Sequence, residues 1–104
     1  MLAGKLISVQ TKGLEVFDPA TNYSSIYYRS LGTILAKTLT SDPKRDPHLF
    51  YTASVSDKVI MKWDLRDMKM VHTIKCDLPF IRQVQLYKDY LIVGGKGGNV
   101  NCNG

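Results

Sequence analysis

The chain carries one short pattern twice, and this internal repeat restricts its fold more than any other feature. Residues 14–18 read LEVFD and residues 60–64 read IMKWD, so each segment has an aliphatic residue four positions before an aspartate and an aromatic residue directly before it. The two aspartates are 46 positions apart. A second pair of similar segments, 49–54 and 90–95, is offset by 41 positions. A period in the forties predicts that one structural unit recurs along the chain.

Each unit consists of short β-favouring runs separated by turn residues. No stretch places apolar residues at i, i+3 and i+4 over about eleven positions, so no helix of useful length is expected. Short strands at even spacing are typical of a sandwich, a barrel or a propeller, and about four strands in a unit of roughly 40–45 residues favour propeller blades. Strands are predicted over residues 6–9, 14–17, 26–28, 33–40, 50–54, 59–63, 70–74, 81–87 and 90–93.

The composition indicates a folded chain without a membrane or secretion signal. Of its 104 residues 44% are apolar, and the net charge of +5 is spread evenly, whereas nucleic-acid binding needs basic residues clustered on one face. The start has no basic region followed by a long apolar one, and no apolar run reaches the roughly 18 residues that span a membrane. The two cysteines form no CxxC pair and indicate no disulfide framework. An intracellular location, cytoplasmic or nuclear, is therefore expected.

Residues 57–66, DKVIMKWDLR, resemble the third strand of a blade in the WD-repeat (WD40) family, which ends in Trp-Asp. The similarity is greatest over residues 48–75, and in the first repeat Phe17 replaces the tryptophan. About two and a half repeats are covered at the family's period. The resemblance implies an all-β fold, an incomplete β-propeller built of four-stranded antiparallel blades. The whole chain is expected to be a single partial domain, 1–104, with approximate blades 1–30, 31–75 and a truncated 76–104.

The same family has a hydrogen-bonded set that holds each blade together, formed by a histidine, an aspartate in a tight turn, a serine or threonine, and the tryptophan. The resemblance assigns Ser54, Asp57 and Trp63 to three of these positions, and Asp64 completes the Trp-Asp pair. A buried carboxylate needs such partners, because leaving it unpaired costs several kcal/mol. The family's Gly-His is absent, and Cys76-Asp77 stands in its place in the last repeat. These residues are expected to be structural.

No arrangement of residues predicts catalysis, a cofactor or a metal. Among the histidines and cysteines only His72 and Cys76 have the spacing of zinc ligands, and one pair does not make a site. Residues 94–99, GGKGGN, lack the order of a phosphate-binding P-loop and predict a β-hairpin turn instead. Neither histidine lies near a glycine-flanked serine or cysteine of the kind nucleophile motifs contain. We therefore expect a protein that is not an enzyme and binds no cofactor.

The resemblance implies a non-catalytic scaffold that binds other proteins, with aromatic and arginine side chains as anchors. Arg66, Arg82 and Lys96 are the candidate contact residues. Residues 63–66, WDLR, are also similar to the WDxR box of substrate receptors for cullin-4 ubiquitin ligases, in which Arg66 would help to dock the receptor onto its adaptor. A third hypothesis is a nucleic-acid-associated propeller that uses the positive surplus, and its binding would fall steeply with salt.

The number of repeats predicts an open assembly. Closed propellers have about four to eight blades, and this chain has fewer than three. By alignment of Val100 with Ile60, residues 103 and 104 occupy the positions where Trp-Asp would be expected. Open strand edges at both ends predict that the isolated chain is marginal, self-associates or depends on a partner.

Overall fold

The chain folds as ten β-strands in the computed structural model, which describes residues 4–76, 81–87, 90–95 and 98–102 and gives the backbone alone at 37, 82, 95 and 98–102. Each strand expected from the sequence overlaps one of them, and a single turn of 3-10 helix, Pro19–Thr21, follows the second. The strands are β1 Leu6–Gln10, β2 Gly13–Asp18, β3 Ser24–Ser30, β4 Leu35–Thr40, β5 Leu49–Ser54, β6 Val59–Asp64, β7 Lys69–Lys75, β8 Ile81–Tyr87, β9 Tyr90–Gly95 and β10 Gly98–Cys102.

The strands form three antiparallel sheets in chain order. In the described residues the first sheet has the order β1-β2-β3, the second β4-β5-β6-β7 and the third β8-β9-β10. In the second sheet β5 and β6 pair without a register shift from Leu49↔Asp64 to Ser54↔Val59. The glycine-rich turn predicted over 94–99 is shorter than expected, because β9 continues to Gly95 and β10 begins at Gly98. Short hairpin connections of this kind are what antiparallel neighbours require.

The sheets stack face to face, and the middle sheet contributes side chains to both layers between them. Along β6, Ile60 belongs to one apolar cluster, whereas Met61 and Trp63 belong to the other. This split follows from the alternation of side chains across a strand. Burying a large apolar side chain stabilises the fold by about 1.5–3 kcal/mol, so both layers hold the sheets together. The first layer contains Leu14, Leu35, Phe50, Met61 and Trp63, and the second contains Ala36, Ala53, Ile60, Ile74, Cys76, Ile81, Val84, Leu91 and Val93.

The first strands of the second and third sheets, β4 and β8, lie side by side and are joined by threonine hydroxyls. The Thr40 Oγ1 accepts a hydrogen bond from the Leu86 backbone N–H at 2.9 Å. The Thr38 hydroxyl lies 3.4 Å from the Val84 nitrogen and 3.5 Å from its carbonyl oxygen. The two strands thus meet without a β-ladder, and the side-chain oxygens satisfy backbone groups that would otherwise lack a partner.

Gly13 lies close against the backbone of the neighbouring strand β3. A Cβ atom at this position would lie 2.5 Å from the carbonyl oxygen of Arg29 on β3. At Gly32, in the connection to the second sheet, a Cβ atom would meet nothing within 4 Å. The space beside Gly13 therefore requires glycine, and the space beside Gly32 does not.

Candidate protein-interaction site

The hydrogen bonds around Trp63 join some of the residues assigned to the WD-repeat set and leave others apart. The indole N–H of Trp63 donates to the Thr52 Oγ1 at 2.9 Å, and both side chains are fully buried. The Ser54 hydroxyl accepts from the backbone N–H of Asp57 at 3.1 Å. Asp57 is itself exposed, so its carboxylate is not the buried group expected from the sequence. Thr52, which the sequence analysis did not single out, is the partner that a buried indole needs.

Two aromatic contacts fix the Trp63 ring between the first and second sheets. The rings of Phe50 and Trp63 stack with centroids 6.2 Å apart and an interplanar angle of 10°. The guanidinium carbon of Arg29, on β3 of the first sheet, lies 5.3 Å from the centroid of the indole. A cation over an indole face is attracted by the ring quadrupole. The tryptophan of the Trp-Asp pair therefore serves the packing of one sheet on the next.

Asp64 closes the turn after β6 and holds Arg66 in a defined position. Its Oδ1 accepts from the Arg66 backbone N–H at 2.9 Å, which is an Asx turn. The Arg66 Nε donates to the same oxygen at 3.1 Å, and its Nη2 donates to Oδ2 at 2.8 Å. The Asp64 carboxylate is 13% exposed, and the Arg66 side chain is 64% exposed. The guanidinium of Arg66 is thus bound side-on by a carboxylate two residues away and is still exposed to solvent.

These contacts perturb the titration of the Asp64 carboxyl. The side-chain and backbone hydrogen bonds from Arg66 lower the pKa of Asp64 to about 2, and the charge of His48 acts in the same direction. The hydrogen bond with Asp64 raises the pKa of Arg66. Both groups are therefore ionised across the physiological pH range, and the pair is neutral overall with its guanidinium exposed at the surface.

Asp18, the counterpart of Asp64 in the first repeat, makes the same turn with a different cation. Its Oδ1 accepts from the Ala20 backbone N–H at 2.9 Å. Because residue 20 is alanine, the positive charge comes from Lys5, whose Nζ lies 3.4 Å from Asp18 Oδ1. The aspartate of the repeated pattern is thus a turn-forming residue in both repeats.

The structure does not describe the side chains of the other two candidate contact residues, Arg82 and Lys96. Arg82 lies within β8, where the backbone alone is described, and Lys96 lies outside the described residues. Their roles as contact residues stay predictions. The structure places Arg66 at the end of the second sheet, whereas the backbone of Arg82 lies in the third.

Cys76 departs from the expectation that the cysteines form no disulfide, because it is disulfide-bonded and buried. The only other cysteine of the sequence is Cys102, whose side chain is outside the described part. A disulfide-bonded Cys76 offers no thiolate to pair with His72 at a zinc ion. Over the described ranges, no three residues of His, Cys, Asp and Glu come together as metal ligands.

The outer face of the first sheet, defined here as the face of β1–β3 turned away from the second sheet, carries exposed apolar side chains. The register pairs Leu6 with Phe17 and Glu15 with Tyr28, so these residues share that face. Leu6 is 43% exposed, Tyr28 56%, and Ile26, at the bulge of β3, 51%. Exposed apolar side chains that share one face can mark a surface that another protein covers.

Comparison with known proteins supports the fold and is silent on the sequence family. No family model matches the chain, and no curated protein is similar to it in sequence. Two solved structures that resemble it are Sqt1 of Saccharomyces cerevisiae, with a TM-score of 0.74 and 11% identity, and Hsv2 of Kluyveromyces lactis, with 0.62 and 14%. Both are WD40 β-propeller proteins. The comparison covers 94% and 96% of this chain but only 28% and 29% of theirs.

The expected fold is confirmed, whereas the count of two and a half repeats stays a prediction. Within the described residues no helix is both long and apolar enough to span a membrane. The stacked antiparallel sheets and their likeness to propellers that are about three times longer lead to one conclusion: the chain has an all-β fold, that of an incomplete β-propeller.

Proposed function

We propose that the chain is a protein-binding scaffold and that the outer face of the first sheet is its principal contact surface. The observation that carries this proposal is the group of exposed apolar side chains on a rigid sheet, with Leu6, Ile26 and Tyr28 each 43–56% exposed. A sheet face is pre-ordered, so a partner that covers it restricts few additional backbone dihedrals. Tyrosine is also among the side chains that most often carry binding energy.

The basic side chains favour a protein partner over nucleic acid. Arg29 lies over the Trp63 ring, and Arg66 is bound by Asp64. Lys5 pairs with Asp18. A nucleic-acid surface would instead leave such cations free to contact successive phosphates. These three basic side chains are already engaged in contacts within the fold.

The test is capture of partners from an extract of the source cells with the wild-type chain and two matched variants. Tyr28 and Tyr23 are both 56% exposed, but Tyr23 lies in the turn before β3 and not on the outer face. We expect Tyr28→Ser to lose the captured protein and Tyr23→Ser to retain it. With the purified partner, Tyr28→Ser should weaken binding about 30-fold, which corresponds to a contact worth about 2 kcal/mol.

Two results would refute this proposal. Equal capture by both tyrosine variants would show that the outer face is not the contact surface. Release of the captured material by nuclease, together with a steep loss of binding between 50 and roughly 200 mM salt, would identify nucleic acid as the partner.

The resemblance to cullin-4 substrate receptors is a narrower proposal of the same class. It is supported by the exposed and conformationally fixed Arg66 guanidinium after Trp63-Asp64. If this proposal is correct, Arg66→Ala abolishes pull-down of the adaptor protein. Unchanged pull-down by the variant would refute the proposal.

A further inference from the structure

A cleft lies at one end of the first and second sheets and joins residues that are far apart in the sequence. Its volume is about 190 Å³, and it is lined by Lys5, His48, Leu65 and Arg66. Lys5 directly precedes β1, His48 directly precedes β5, and the other two directly follow β6. The Leu65 backbone N–H donates to the His48 carbonyl oxygen at 2.7 Å, which fixes two walls relative to each other. Three of the four lining side chains carry nitrogen donors.

Two carboxylates behind the cleft hold its cations in place. Asp18 lies 3.4 Å from the Lys5 ammonium, and its side chain is 18% exposed. Asp64 binds the guanidinium of Arg66 through Nε and Nη2. A guanidinium has five N–H donors in a rigid fork, so three remain for an acceptor outside the chain once Nε and one hydrogen of Nη2 are used. The lowered pKa of Asp64 keeps this arrangement over the physiological pH range.

The charges, the apolar wall and the volume of the cleft together limit which ligand it can bind. Lys5 and Arg66 are each paired with a carboxylate, Asp18 and Asp64, so these two ion pairs add no net charge to the cleft. Such a site suits a single negative charge better than a phosphate dianion. Leu65 supplies an apolar wall for an aliphatic stem. The volume is below the roughly 300–1,000 Å³ of sites that enclose a whole small molecule, so the cleft fits one side chain.

We propose that this cleft binds the carboxylate of a glutamate or aspartate side chain presented by a partner protein, with Arg66 and Lys5 as the donors. The proposal rests on the protein-binding function above and adds a second, polar contact to the apolar outer face. Arg66 provides the directional hydrogen bonds, because a guanidinium matches the geometry of a carboxylate. The ammonium of Lys5 is a second donor, from the neighbouring sheet.

The experiment is a titration of the full chain, followed by amide chemical shifts in NMR, with three probes. These are the blocked peptide acetyl-Ala-Glu-Leu-amide, its acetyl-Ala-Gln-Leu-amide counterpart, and inorganic phosphate. We expect the glutamate peptide to shift the amides of residues 48, 65 and 66, and the glutamine peptide to bind about tenfold more weakly, which is the effect of losing a charged hydrogen bond. Equal binding of the two peptides, or tighter binding of phosphate, would overturn the proposal.

Three charge-removing variants locate the site. Arg66→Gln and Lys5→Gln should each weaken binding of the glutamate peptide about tenfold or more. Lys75→Gln is the control: it also removes one positive charge, but Lys75 lies at the end of β7 away from Asp64 and the cleft. It should leave binding unchanged. If Arg66→Gln disturbs the turn at Asp64, shown by shifts throughout β6, Lys5→Gln decides, since Lys5 lies on another sheet. Equal weakening by all three variants would show that net charge and not the cleft attracts the peptide.

The outcome is separable from that of the scaffold proposal. If the glutamate peptide does not bind but Tyr28→Ser still loses partner capture, the cleft proposal is refuted and the outer face remains the contact surface. If the peptide binds at the cleft but Tyr28→Ser leaves partner capture unaffected, the outer-face proposal is refuted and the cleft proposal is supported.

Discussion

The two copies of the repeated pattern, on β2 and β6, form the same local structure in different surroundings. Leu14 and Ile60 occupy the same position and are both fully buried. At the aromatic position, Trp63 is fully buried between two sheets, whereas Phe17 is half-buried on the outer face of the first sheet. The strand and its turn thus depend on the local sequence, whereas the burial of the aromatic side chain depends on whether another sheet covers that face.

The difference extends to hydrogen bonding across each strand pair. The register Leu6↔Phe17 corresponds to Phe50↔Trp63, so Ser8 occupies the position of Thr52. Thr52 accepts the indole N–H, and a phenylalanine ring has no N–H to offer Ser8. A sheet enclosed on both faces therefore uses an aromatic residue with a polar atom that must be satisfied, and a sheet covered on one face does not.

Removing the two aromatic side chains should give the largest contrast between the sheets. We expect Trp63→Ala to lower the free energy of unfolding by about 3–5 kcal/mol, because a large buried cavity forms beside Phe50. Phe17→Ala should cost about 1–2 kcal/mol, because its half-exposed ring loses less burial. Urea denaturation followed by circular dichroism measures both. Equal losses would mean that the two sheets are equally enclosed.

A methyl group added to the first sheet tests how tightly its backbones approach each other. Gly13→Ala should lower the free energy of unfolding by about 1–3 kcal/mol, since the new Cβ overlaps the Arg29 carbonyl oxygen. Gly32→Ala is the matched control and should change it by no more than about 0.5 kcal/mol. A neutral Gly13→Ala would show that β2 and β3 can separate, and the first sheet would then be looser than described.

The Thr52 hydroxyl, which accepts the indole N–H, is a third feature in which the second sheet differs from the first. Thr52→Val keeps the side-chain shape but leaves a buried donor unsatisfied, so we expect a loss of about 1–3 kcal/mol. Ser8→Ala at the matching position of β1 should stay within about 0.5 kcal/mol. Thermal unfolding of both variants provides the measurement. A larger effect at Ser8 would reverse the account of where the polar contact lies.

The smallest expected effect concerns the turn at Asp64. NMR titration of its carboxyl should give a pKa of about 2, and Arg66→Ala should return it toward the ordinary 3.8. Because the pKa is lowered in the folded chain, the stabilisation by this pair is complete above pH 3.8 and is lost as the pH falls through about 2. A pKa that is unchanged by Arg66→Ala would disprove the guanidinium contact.

Sequence reasoning predicted the strands β1 to β9, an antiparallel all-β fold and the end of β6 at Trp63-Asp64. These depend on alternation and turn residues, which act over a few positions. It did not identify Thr52 as the indole partner, Arg29 over the Trp63 ring or the burial of Cys76 with a disulfide. Each of these contacts depends on the register or on the packing of one sheet on another.

The candidate site was predicted in part. Arg66 and Asp64 were both singled out, but the contact between them was not predicted, since two residues of a turn meet only when the side chain folds back. Lys5 and His48 carry no local signal at all. They reach Arg66 because β1, β5 and β6 share one end of adjoining sheets.

Residue-resolved hydrogen exchange of the backbone amides can show whether the second sheet is enclosed on both faces and the first on one face only. We expect the amides of Ile60, Met61 and Trp63 to exchange at rates near those set by global unfolding, and those of Glu15 and Phe17 to exchange much faster. Equal protection of β2 and β6, or greater protection of β2, would contradict it.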